Sequence, residues 1–285
     1  MKKIIASGFG VALILCILYF ASDSNNYASA GNNDDEFEYE YYYNTDKTGD
    51  NDMTDTASTS ANDNKKIEYS SNIPDTEPES ISVFINKEYA LPESYIPDNL
   101  VVADVTFFGG ASDDKNKMRK EAADALEKMF SDAKDDNIFL YGVSAYRSYQ
   151  RQKEIYEKNV RNRGANATDQ VSAAPGHSEH QSGLAIDITT KTLGCNLCEY
   201  FGETAEGKWV AKNCYQYGFI IRYPKDAEQI TGYSYEPWHI RYVGTEIAEY
   251  IHKENITLEE YYGYTLSDYY LENIISDAST SDNNK

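Results

Sequence analysis

Pro175-Gly176-His177-Ser178-Glu179-His180-Gln181-Ser182-Gly183-Leu184-Ala185-Ile186-Asp187 is the stretch on which the reading of this chain turns. A glycine turn at Gly183 separates a polar segment bearing two histidines from an apolar run, Leu184 to Ile188, that reads as a buried strand. Asp187 stands inside that run, where a carboxylate is costly unless it is paired or metal-bound. Imidazole nitrogens and carboxylate oxygens are ordinary zinc ligands, which makes His180 and Asp187 candidates. The plainer reading is an aspartate bonded to a backbone turn or to an arginine.

Downstream, Tyr235-Glu236-Pro237-Trp238-His239-Ile240-Arg241-Tyr242 supplies a further histidine and a nearby carboxylate. A lone histidine beside tryptophan ordinarily reads as a satisfied core residue. Taken with the first segment, His180, Asp187 and His239 make three protein ligands and leave a fourth position for water, the mark of a catalytic zinc. Glu236 is then the natural general base for that water. Upstream, Ala145-Tyr146-Arg147-Ser148-Tyr149-Gln150-Arg151-Gln152 places an arginine where a strand meets a helix. A guanidinium there can grip a carboxylate or an oxyanion with two prongs, and taken alone it reads as readily as a loop tie.

Around these segments, helices and strands mix without regular alternation. Ile81 to Ile85 reads as a short strand, and Met118, Ala122, Ala125, Leu126, Met129 and Ala133 recur at helical spacing between Asp114 and Ala133. Ile138 to Val143 reads as a buried strand. A helix follows from an N-cap at Ser148, with Ile155, Tyr156 and Val160 facing inward and Gly164 as its stop. Further strands are expected at Leu184–Ile188, Phe219–Tyr223 and His239–Val243. The expected class is α+β, a mainly antiparallel sheet flanked by helices in a single catalytic domain over residues 81–265.

Outside that domain the chain changes character. Met1-Lys2-Lys3 followed by an apolar run from Ile4 to Ala21 is an export pattern, at the lower edge of a membrane span, so residues 1–21 are a signal or an anchor. Ala28-Ser29-Ala30 offers a cleavage site, and Cys16, preceded by Leu15, is a poor lipidation site. Residues 22–80 are an acidic spacer with no apolar face to bury, and 266–285 form an acidic tail. The expected location is outside the cytoplasm, anchored through the N-terminal segment or released after cleavage near Ala30. A net charge of −21 excludes nucleic acid as a partner, because phosphate binding needs clustered Lys and Arg. Cys195, Cys198 and Cys214 lead to an expectation of one disulfide and one free thiol, a structural zinc at the CxxC being the lesser reading.

The residues resemble the VanY-type D-alanyl-D-alanine carboxypeptidases, whose metal-site fold is shared with the signalling domain of hedgehog proteins. The family pattern SxHxxGxAxD stands here as Ser178, His180, Gly183, Ala185 and Asp187, and its ExxH as Glu236 and His239. The resemblance spans Ile81 to Gly263. It implies a hedgehog/DD-peptidase-like fold, one zinc ion on His180, Asp187 and His239, Glu236 as general base and Arg147 on the transition state. Gln152 and Ser178 would contact substrate. The implied activity is removal of C-terminal D-alanine from peptidoglycan stem peptides by a monomeric D,D-carboxypeptidase. Its alternatives are an L,D-carboxypeptidase acting on tetrapeptide stems and a non-catalytic zinc-containing wall-binding module. His177, His252 and the cysteines fall outside the pattern.

Overall fold

The computed structural model describes residues 73–108, 114–169 and 171–267. The N-terminal apolar segment, the spacer up to residue 72, the tail beyond 267 and Cys16 lie outside the described residues. Among the described residues no helix is long and apolar enough to cross a membrane.

The frame is a four-stranded sheet of β3 (Leu140–Ser144), β4 (Ala185–Thr190), β5 (Phe219–Tyr223) and β6 (Glu236–Tyr242). Its order is β3-β4-β6-β5, antiparallel throughout, and a small ribbon of β1 (Leu100–Val102) and β2 (Lys117–Arg119) stands apart from it. The α+β class with a mainly antiparallel sheet is therefore as expected. Every residue of β4 is buried, so apolar and polar side chains alike must be satisfied inside the protein. Helix α1 (Lys120–Asp135) packs against β3, α4 (Ala205–Asn213) against β4 and β6, and α6 (Thr245–Glu254) against β5. In α1 the buried Ala122, Leu126, Met129 and Ala133 form the inward stripe of a 3.6-residue repeat. Leu126 and Met129 are fully buried, each contributing about 1.5–3 kcal/mol by leaving water.

Two expected elements differ. The helix begins at Lys120, not Asp114. Asp114–Asn116 is a 3-10 turn and Met118 lies in β2, opposite Val101. The cause is competition for backbone groups: the Arg119 amide donates to the Gly183 carbonyl at 2.8 Å and the Lys120 amide to Asn99 at 3.2 Å, which ties this segment to the ribbon and to the glycine turn. Ile81–Ile85 is not a strand either. Val83, Phe84 and Ile85 are buried as an apolar segment should be. The carbonyls of Ile81, Val83 and Ile85, however, accept hydrogen bonds from Arg241 and Arg222, leaving no ladder to join.

Other expectations stand with small changes. Ser148 caps α2 (Tyr149–Arg163), its hydroxyl accepting from the Arg151 amide at 3.2 Å, and Gly164 ends the helix at φ 85°. Ile155, Tyr156 and Val160 are only half-buried, and the residue α2 buries fully is Gln152. Packing continues past Gly263 to Leu266, which is 3% exposed. Helices α3 (Ala165–Asp169), α5 (Glu228–Thr231) and α7 (Leu258–Tyr261) complete the described elements. Cys195, Cys198 and Cys214 are all free thiols, contrary to the expected disulfide, and burial pushes Cys214 up to about 12.

Candidate metal and active site

Strand register assembles the centre of the site. Asp187 on β4 lies directly opposite His239 on β6, and on its other side opposite Ser144 of β3 at a bulge, so the three form one row across the sheet. His180 arrives from the 3-10 turn Glu179–Ser182, which closes on Gly183 in the left-handed conformation (φ 69°) before β4 begins. A side chain at Gly183 would be strained there, and its Cβ would lie 2.8 Å from Leu100. The ligand atoms of His180, Asp187 and His239 lie within 4.8 Å of one another, and all three residues are buried.

These residues fit a divalent metal. His180 Nδ1 is 2.7 Å from the Ala145 carbonyl oxygen, which can only accept, so this nitrogen carries the hydrogen and Nε2 offers its lone pair 3.4 Å from Asp187 Oδ2. His239 Nδ1 is 2.9 Å from Asp187 Oδ1, and its Nε2 is 3.4 Å from Glu179 Oε2. Two imidazoles and a carboxylate are a zinc donor set. Burial holds His180 below its ordinary value, with Arg147 adding to the effect against Asp187. Burial would depress His239 too, but hydrogen bonds to Asp187 and Glu179 push it up to about 9. Burial raises Asp187, and the two histidines overcome this to leave it below the usual carboxylate range. The row thus favours an anionic Asp187 between a neutral His180 and a His239 that holds a proton readily.

A pocket opens over this row, lined among others by Arg147, Gln152, Ser178, Tyr233, Glu236 and Trp238. Arg147 donates to Gln152 Oε1 at 2.9 Å and to Ser144 Oγ at 3.1 Å. Gln152 is fixed in turn by donating to the Ala173 carbonyl at 2.6 Å, so the guanidinium is aimed by a buried amide and by the strand row itself. Burial raises Glu236 to about 7, with Asp187 reinforcing the shift while His239, Lys87 and Arg147 oppose it. A carboxyl poised near neutrality suits proton transfer. His177 lies apart, its Nδ1 2.8 Å from the Asn86 carbonyl, and His252 stacks on Tyr215 at 3.7 Å.

Several neighbours escaped the sequence reading. Glu179, Arg222, Arg241 and Glu259 form a fully buried ion network beside His239. Arg222 interrupts the apolar run Phe219–Tyr223 as Asp187 interrupts its own, and the same cost of burying a charge would have singled it out. Tyr223 stacks on His239 at 5.2 Å and meets Tyr233 at 4.6 Å. Lys87 sits with its ammonium 3.5 Å from the Tyr233 ring centre, pulled down to about 7 by burial against Asp169 and Glu236. No local pattern marks these tyrosines or Lys87, since only the fold brings them here.

Comparison with known proteins agrees with this geometry. Residues 115–245 match the VanY family, described as D-alanyl-D-alanine carboxypeptidase. The YodJ protein of Bacillus subtilis (strain 168) is 50% identical over 201 residues, covering 70% of this chain and 73% of YodJ. Among solved structures, the LD-carboxypeptidase LdcB is 51% identical with a TM-score of 0.64, covering 66% of this chain and 88% of that one. A variant of the vancomycin-resistance D,D-pentapeptidase VanY in complex with Zn(II) is 30% identical with a TM-score of 0.52, covering 64% of this chain and 98% of that one. With a two-histidine, one-aspartate cluster standing where two matched motifs converge, the chain belongs to the VanY family of D-alanyl-D-alanine carboxypeptidases and is a metallo-carboxypeptidase.

Proposed function

We propose that this chain removes C-terminal D-alanine from peptidoglycan stem peptides, holding one zinc ion through His180, Asp187 and His239. The observation that carries the reading is the convergence of those three ligand atoms within 4.8 Å beneath a pocket that Glu236 and Arg147 also line. A zinc ion bound there supplies a Lewis acid for the scissile carbonyl and makes water a nucleophile near neutral pH. Glu236, held near neutrality by burial, accepts the proton of the attacking water and passes it to the leaving amine. Arg147, braced by Gln152 and Ser144, faces the negative charge that develops on the carbonyl oxygen or grips the terminal carboxylate. Ser178 and Gln152 border the space the substrate enters.

Within this activity we favour L,D specificity, the removal of D-alanine from tetrapeptide stems. It is supported by the 51% identity to LdcB, titled an LD-carboxypeptidase, against 30% to VanY, titled a D,D-pentapeptidase. The D,D reading keeps support from the family's own description. The enzyme acts outside the cytoplasm, tethered through the segment Ile4–Ala21 and the acidic spacer or released near Ala30, a reading carried by the sequence pattern. Purified protein with measured zinc content, given muropeptides ending in one or two D-alanines and followed by mass spectrometry, tests both levels. Tetrapeptide trimmed to tripeptide supports L,D action, and pentapeptide trimmed to tetrapeptide supports D,D action. No release of D-alanine from either by zinc-loaded protein refutes the proposal.

A further inference from the structure

The metal cluster rests on a second, larger group of charges. Glu179 Oε1 accepts from Arg222 Nε at 2.8 Å and from Arg241 Nη1 at 2.7 Å, and these three side chains have no exposure at all. Arg222 turns its other edge to Glu259, Nη1 to Oε2 at 2.8 Å and Nη2 to Oε1 at 2.6 Å. Further guanidinium hydrogens go to carbonyls: Arg222 to Ile85, and Arg241 to Ile81, Val83 and Tyr242. Two guanidiniums and two carboxylates sum to zero, so the group holds Glu179 as an anion without drawing charge from the metal ligands beside it.

That leaves one oxygen of Glu179 with a task. Oε2 lies 3.4 Å from His239 Nε2. A neutral imidazole has one N–H and one lone pair, and whichever nitrogen meets a fixed acceptor takes the hydrogen. On the far side of the same ring, Nδ1 faces a second acceptor, Asp187 Oδ1, at 2.9 Å; a cation held between these two atoms would claim the Nδ1 lone pair and leave the ring's one hydrogen to Nε2. We propose that Glu179 is a positioning residue: locked by Arg222 and Arg241, its carboxylate takes the Nε2 hydrogen of His239 and so turns Nδ1 toward the metal. The inference rests on the reading of His239 as a zinc ligand. It gives the two histidines opposite attachments, because His180 spends its Nδ1 hydrogen on Ala145 and presents Nε2.

The test uses the full chain labelled with ¹⁵N-histidine and zinc alone as the probe. With four histidines in the sequence, His177→Gln and His252→Gln leave only His180 and His239 to assign. Long-range ¹H–¹⁵N correlation is expected to show zinc-bound Nδ1 and protonated Nε2 at His239, and the reverse at His180. Zinc bound through Nε2 of His239 overturns the proposal while leaving the proposed function intact, whereas a protein that takes up no zinc overturns both. Chelator competition adds a second readout. In Glu179→Gln the amide oxygen remains claimed by two arginines, so the NH₂ group meets His239, and zinc affinity is expected to fall about 10- to 100-fold. Glu259→Gln disturbs the same group without touching His239, and its affinity should stay within about threefold of wild type. Equal losses in the two variants, or none in Glu179→Gln, refute the positioning role. If either variant fails to fold, the wild-type spectrum decides.

Discussion

Replacing Glu236 with glutamine should make the protein both inactive and, above neutral pH, more stable. In the unfolded chain this carboxyl ionises near 4.5, whereas buried beside Asp187 it keeps its proton until about pH 7. Between those values the native state binds more protons than the unfolded state, so stability falls as pH rises. The interval from 4.5 to about 7, at about 1.4 kcal/mol per pH unit, amounts to about 3 kcal/mol. Glutamine has nothing to ionise and escapes that loss. With EDTA present, Glu236→Gln should match wild type near pH 4 and exceed it by about 3 kcal/mol above pH 8, roughly 6–12 °C in Tm for a folded region of this size. Urea unfolding at several pH values, followed by the fluorescence of the buried Trp238, reads this directly. Hydrolysis should meanwhile fall by about 10²- to 10⁴-fold. A stability difference that does not change between pH 4 and 8 would show that Glu236 is not held near neutrality, and the argument for it as the proton carrier would fail.

Further outcomes are expected elsewhere. His180→Ala should lose bound zinc outright, as read by metal analysis after desalting, because no other described histidine reaches Asp187 and His239. Arg147→Lys should leave zinc content unchanged while lowering kcat/KM by about tenfold or more, since an ammonium cannot hold both Gln152 and Ser144 and still present a planar fork to substrate. Arg222→Met should cost about 3–5 kcal/mol in denaturant unfolding, because it strands Glu259 as a buried carboxylate and takes from Glu179 one of its two arginines. Gly183→Ala should cost at least about 1 kcal/mol, given its φ of 69° and the 2.8 Å approach to Leu100, and a variant as stable as wild type would mean that the turn relaxes freely.

Much of this arrangement is readable in the chain because each ligand breaks a local rule. Asp187 is a charge in an apolar run, Gly183 punctuates the turn before it, and His239 follows a proline and a tryptophan in another buried strand. Those conflicts are visible one residue at a time, and so the three candidate ligands, together with Glu236 and Arg147 of the same pocket, could be named from sequence. What they lean on could not. Glu179 is unremarkable beside His180 until Arg222 and Arg241, more than 40 positions away, are seen to close on it. Ile81–Ile85 is not a strand for the same reason: its apolar pattern reports burial correctly, but its carbonyls face arginine side chains rather than another strand. The first helix likewise starts late because the Arg119 and Lys120 amides are claimed by Gly183 and Asn99, partners that helical spacing cannot reveal.

The carbonyls of Ile81, Val83 and Ile85 also define how far the protein can be trimmed. A fragment cut to residues 115–245, the span that matches the family, would keep His180, Asp187 and His239 and all four strands of the main sheet. It would nonetheless arrive with bare guanidinium hydrogens at Arg222 and Arg241, missing Glu259 on one flank and the three acceptors on the other. The smallest self-sufficient unit is consequently wider than its recognisable signature, and the catalytic half of the molecule borrows its footing from residues at both margins that carry no motif of their own.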